Sequence, residues 1–153
     1  MSVETARLAM PAKHFAAFDL SRPFRLGRRF DLVRSLEVAE HIPPAQAEIF
    51  VDHLAAHGDV ILFSAAVPGQ GGEFHVNEQP WRQKFAARGF LTFDFIRPRI
   101  AKVPEIEPWY RYNILLFVNE GVLSRISSTA AETEGIDGKS IADVAPLLWR
   151  CGI

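Results

Sequence analysis

The sequence predicts an α/β fold: a sheet with parallel strands and helices packed against it. Three observations carry that expectation. Apolar runs alternate with helix-like segments in the order strand, helix, strand, helix, strand. One run, Asp59 to Ala66, is almost continuously apolar, as a strand covered on both faces has to be. Finally, 153 residues of which 48% are hydrophobic can bury one sizeable core.

Each element has a local reason. Residues 1–12 show no clear period and include Pro11, so a loosely ordered segment is expected ahead of a domain spanning 13–118. Phe15 to Leu20 reads as a short strand with Asp19 at its tip, broken by Ser21-Arg22-Pro23. A basic loop then leads to a strand from Phe30 to Leu36. Pro43-Pro44 opens a helix that runs to about Ala56, with Ile49, Phe50, His53 and Leu54 on one face and Gly58 as its C-terminal cap. A polar, glycine-bearing loop follows the Asp59–Ala66 strand, and a second helix spans Pro80 to Arg88 until Gly89 stops it. Phe90 to Ile96 and Arg111 to Val118 are the last two strands. No helix separates them, so they are expected to pair as an antiparallel hairpin with a long loop. Residues 119–153 read as a mobile tail with a short apolar helix at Ile141 to Trp149.

Composition narrows the function classes. A net charge of −1 provides no footprint for nucleic acid. Nor does any apolar run reach the length of a membrane span, and no basic-then-apolar leader is visible. The single cysteine, Cys151, has no internal disulfide partner, and a cytoplasmic setting is expected.

The chemistry concentrates where the Phe30–Leu36 strand ends. Glu37, Glu40 and His41 follow it at spacing i, i+3, i+4, which places all three on one face if the segment turns as a helix. In open α/β sheets, ligands bind at that carboxyl end. Two carboxylates and an imidazole suit a divalent cation such as magnesium. His41 alone suits proton transfer. The remaining reading is structural: Glu37 facing the crevice, Glu40 solvated, His41 closing the turn. His75, Asn77 and Glu78, in the loop after the Asp59–Ala66 strand, are candidates for substrate contact, although Asn77 also suits a helix cap. Trp109, Tyr110 and Tyr112 fit either an aromatic lid or packing at the start of a strand.

The ordered set Asp19-Leu20, Phe30-Asp31-Leu32-Val33 and Ser35-Leu36-Glu37-Val38-Ala39-Glu40-His41-Ile42 resembles the middle of a class I S-adenosylmethionine-dependent methyltransferase. His57-Gly58-Asp59 to Pro68, Arg88-Gly89-Phe90 and Asn113 to Val118 resemble the second half of that family. The E-x-x-E-H string is similar to one in ubiquinone-biosynthesis O-methyltransferases, where it is associated with a divalent cation. The resemblance implies a partial Rossmann-like sheet in family order four, five, seven, six. It also implies cofactor contacts at Asp19, Leu20, Ser35, Leu36 and Glu37, and a small-molecule methyl acceptor.

The family's first two strands and its glycine-rich loop have no counterpart here, since the first glycine is Gly27. The resemblance therefore implies either a methyltransferase acting on a small-molecule hydroxyl, truncated at its N-terminal side, or a non-catalytic remnant or binding module. In both cases S-adenosylmethionine is expected to bind weakly or not at all. The strand from Phe30 to Leu36 should be left as a sheet edge open to a second copy or a partner chain, unless the N-terminal strand repacks.

Overall fold

The computed structural model describes residues 10–70 and 78–123. Four strands form one sheet: β1 (Val33–Leu36), β2 (Val60–Ser64), β3 (Phe90–Phe93) and β4 (Leu115–Asn119), in the order β1-β2-β4-β3. β1 and β2 are parallel, with Val33 opposite Ile61 and Leu36 opposite Ser64. β4 runs antiparallel to both neighbours, pairing Phe63 with Leu115 and Thr92 with Phe117. The expected antiparallel pairing of the last two strands is present, and β1 is the edge.

Two helices, α1 (Ala47–His57) and α2 (Glu78–Ala86), carry the main core with the sheet. Period-2 alternation sends Ile61 and Phe63 of β2 into that core and Val60 to a smaller cluster on the other face, with Leu116, Val118 and Val122. Burial on both faces is what the apolar run of β2 implied. Phe63, Phe85 and Phe117 form the aromatic centre. Phe85 stacks on Phe117 at 4.0 Å, and Phe63 meets both edge-on at 5.3 and 5.8 Å. Between the helices, Arg88 joins Glu48 and Asp52 at 2.9 and 2.7 Å, and Lys84 also pairs with Glu48.

Several local expectations are corrected. Phe15–Leu20 is not a strand. The Asp19 carboxylate accepts the Ser21 N–H at 3.0 Å and the Ser21 hydroxyl at 2.6 Å, a local turn that competes with extended pairing. The chain instead lays Asp19–Phe30 over α1, the rearranged packing foreseen for a segment without strand neighbours. Strand β1 begins only at Val33, although Phe30 makes an isolated parallel bridge to Gly58.

Gly58 is extended, with φ −167°, and is therefore not a left-handed helix cap. Its lack of a side chain serves close approach, since a Cβ there would lie 2.7 Å from Val33 Cγ2. The second helix, expected over Pro80 to Arg88, ends at Ala86, and Gly89, at φ +75°, closes the turn that follows it.

Arg111 to Asn113 belong to a helix, α4 (Pro108–Asn113), which follows the short α3 (Arg97–Ile100). Pro108 at the first helical position explains the start. Trp109 and Tyr112 consequently lie on a helix, 41% and 56% exposed, and do not enter a strand. β4 ends at Asn119, and residues 120–123 are helical. The apolar segment 141–149 lies outside the described residues.

Candidate functional site

Three chain segments converge at one edge of the sheet. β1 and β2 both point their carboxyl ends there, and antiparallel β4 brings its amino end to the same edge. Glu37 sits at the junction in a left-handed conformation, φ 53°. That backbone is unfavourable for an L residue by about 1 kcal/mol or more. Two acceptors hold it, because the Glu37 N–H reaches both the carbonyl and the hydroxyl of Ser64 at 3.1 Å. Asn113, at the end of α4, donates from Nδ2 to Gln70 Oε1 at 2.7 Å and to Glu37 Oε1 at 3.4 Å. The Val67 N–H also reaches Gln70 Oε1, at 3.3 Å. The loops after β1 and β2 and the start of β4 are thereby tied into one polar network.

Behind Glu37, a 3₁₀ turn at Ala39–His41 divides the next two residues between core and solvent. Glu40 is 3% exposed, and its Oε2 has no hydrogen-bond partner among the described residues. Burial pushes its carboxyl above the usual range. Its own backbone N–H opposes the shift, the nearby Glu37 charge adds to it, and the Ala66 N–H and His41 oppose it. The His41 side chain is 57% exposed, with Nε2 3.9 Å from Glu40 Oε1. Ser35 is buried, and its Oγ is unpartnered.

One hollow adjoins Asn113, and a second lies apart from these groups. A cavity of about 20 Å³ lies between Phe63, Ala65, Val67, Trp81, Asn113 and Leu115, and the buried Trp81 Nε1 has no hydrogen-bond partner among the described residues. It has room for a single water. An apolar groove of about 160 Å³ runs beside β1 and α1, lined by residues that include Leu20, Phe24, Leu32, Val33 and Leu54.

The predicted site residues fall into separate places. Ser35, Leu36 and Glu37 stand at the carboxyl end of β1 as the resemblance implied. Leu20 instead lines the apolar groove, while the exposed Asp19 carboxylate is held by Ser21 and Arg22. Glu37, Glu40 and His41 do not share a helical face, because the left-handed Glu37 ends the strand before the turn begins. Among the described residues, no three of His, Cys, Asp and Glu are grouped so as to hold a metal ion, and this donor set does not fit a magnesium site. His75 and Asn77 lie outside the described residues, and Glu78 is the first residue of α2.

Sequence reasoning missed Ser64, Gln70 and Asn113. The one available signal was Ser64 as a hydroxyl inside an apolar run. Asn113 was hidden by a strand drawn through it.

The fold is mixed α/β, and its sheet order, with β4 inserted antiparallel, is the partial Rossmann-like order four, five, seven, six that was expected. Two solved structures are similar, both of magnesium protoporphyrin IX methyltransferase from Synechocystis PCC 6803. The one with bound SAM is 24% identical, with 67% of this chain and 44% of that chain covered and a TM-score of 0.45. The one with bound SAH is 22% identical, with 67% and 49% covered and a TM-score of 0.46. The chain thus spans less than half the length of these structures. No protein-family profile and no curated protein matches it. Among the described residues, no helix is long and apolar enough to cross a membrane.

Proposed function

We propose that this chain serves S-adenosylmethionine-dependent methyl transfer to a small-molecule hydroxyl, and that it contributes the half of the sheet on the acceptor side. The observation that carries this reading is the strand order β1-β2-β4-β3 with Glu37 presented at its carboxyl edge. Ser35, Leu36 and Glu37 are the residues assigned to the cofactor's methionine end. His41, exposed at the same edge, is assigned the proton of the acceptor hydroxyl.

The cavity beside Asn113, about 20 Å³, is far smaller than a small-molecule pocket of roughly 300 Å³ or more, and the groove of about 160 Å³ is lined by none of residues 35–37. The described residues therefore do not enclose S-adenosylmethionine unaided, and no step is routed through it. The unpaired side of β1 is where a complementing strand, from a second copy or a partner chain, would add the rest.

The test is a nuclear magnetic resonance titration of the chain with S-adenosylmethionine up to about millimolar concentration. Weak binding with shifts confined to residues 35–37 and their neighbours is expected. Absence of any shift would rule out methyl transfer by this chain alone, and micromolar affinity would refute the incomplete pocket. A second reading, a non-catalytic module, draws on the self-satisfied Glu37–Asn113–Gln70 network and predicts the absence of shifts.

A further inference from the structure

Two buried histidines on α1, His53 and His57, have no part in the proposed chemistry, and both grip the segment laid over the helix. They are 5% and 6% exposed. The His53 Nε2–H donates to the Arg22 carbonyl at 2.8 Å. The Leu26 N–H donates to His57 Nε2 at 3.0 Å, so that nitrogen carries a lone pair and no proton. The proton of His57 is then on Nδ1, which donates to the His53 carbonyl at 2.6 Å. Phe24 of the same segment lies 4.2 Å from the His53 ring and 5.5 Å from that of His57.

We propose that His53 and His57 form a proton-operated latch, which holds Asp19–Arg28 against α1 at neutral pH and releases it on acidification. A proton added to His57 Nε2 would face the Leu26 N–H, two donors at hydrogen-bond distance with no acceptor between them. One of them must withdraw, and from Asp19 to Arg28 the other polar tie to α1 is the one from His53 to the Arg22 carbonyl, whereas Arg29 and Phe30 stay anchored to Ala56, Asp59 and His57. Release would take Leu20, Phe24 and Leu26 out of the lining of the apolar groove.

The surroundings supply little to stabilise added charge. Around His53, burial weighs most against the protonated ring. The Arg22 carbonyl favours it, His57 and Arg25 oppose it, and Asp52 favours it. Around His57 stand the rings of Phe24 and Phe30. Arg28 covers Phe30, and Arg29 is engaged by Asp59 and the Ala56 carbonyl. The β1-side neighbours Leu32 and Val33 and the α1 neighbours Phe50 and Leu54 carry no charge. Asp31 and Arg34 near the edge are exposed.

The latch is independent of the methyl-transfer reading, because its readout is structural. The experiment follows amide hydrogen exchange in the full chain from about pH 7.5 to about pH 5, spanning the ordinary histidine range. Corrected for intrinsic rates, Leu26 protection should fall about tenfold or more while Phe63 and Phe117 stay protected. In the double variant His53→Gln, His57→Gln, a glutamine oxygen can accept the Leu26 N–H at any pH, and protection should no longer vary. Retained Leu26 protection once ring resonances show both histidines protonated would overturn the proposal. So would equal loss in the double variant, or loss of core and segment protection together. Should the double variant not fold, the wild-type profile decides alone.

Discussion

Gly58→Ala tests the contact that seats β1 on β2. The glycine has φ −167°, extended backbone open to any residue, so the substitution adds no conformational strain. It adds volume where there is none. A Cβ would lie 2.7 Å from Val33 Cγ2 and 3.0 Å from the Phe30 carbonyl oxygen. Carbon–carbon contacts are optimal at about 3.5–4.0 Å, so the overlap with Val33 is about 1 Å. Neither neighbour can swing aside. Val33 is β-branched and paired with Ile61, and the Phe30 oxygen is main chain bridged to Gly58 itself. Relief needs a shift of β1 away from β2, and overpacking of this kind costs about 1–3 kcal/mol.

Urea denaturation followed by circular dichroism should show that loss, with the thermal midpoint several degrees lower. Gly27→Ala is the counterpart: at φ +69° it is strained, but nothing lies within 4 Å. Its cost is therefore backbone strain alone, roughly 1 kcal/mol, with β1 resonances unmoved. A Gly58→Ala protein within about 0.5 kcal/mol of wild type would refute the steric account of this glycine.

Glu40→Gln should stabilise the protein at neutral pH. The folded carboxyl titrates above its ordinary value of 4.5, mainly through burial. Its favourable contribution is full below that value and is lost as pH rises through the folded value, where a buried carboxylate must form. Denaturation midpoints of wild type and variant should therefore converge in acid and separate above it; the opposite trend would contradict the assignment. Asn113→Ala should cost about 1–2 kcal/mol by chemical denaturation, since it removes the donor shared by Gln70 and Glu37. It should also broaden the Glu37 and Gln70 resonances, and an unchanged spectrum would show that the network does not order this edge.

Much of the fold was legible because burial leaves a periodic trace. The continuous apolar run of β2, the i, i+3, i+4 pattern of α1 and the left-handed Gly89 all act over a few residues. The errors arose where a short-range signal had two solutions. Phe15–Leu20 looks like a strand by composition, yet the Asp19–Ser21 turn satisfies polar groups locally and the segment found α1 instead. Glu37 to His41 has helical spacing, but spacing cannot reveal that Glu37 adopts φ 53° to reach Ser64, 27 residues away.

The sequence by itself determined the α/β class and the antiparallel return of the last strand. Those follow from hydrophobic periodicity and connection length, which are local properties. Only the tertiary structure decided that Glu40 is buried while His41 is exposed, and that Asn113 and Gln70 meet Glu37. It also showed His53 and His57 gripping the segment before β1. Each depends on side chains far apart in the chain arriving at one place, where desolvation and hydrogen-bond geometry then select among states the sequence leaves open.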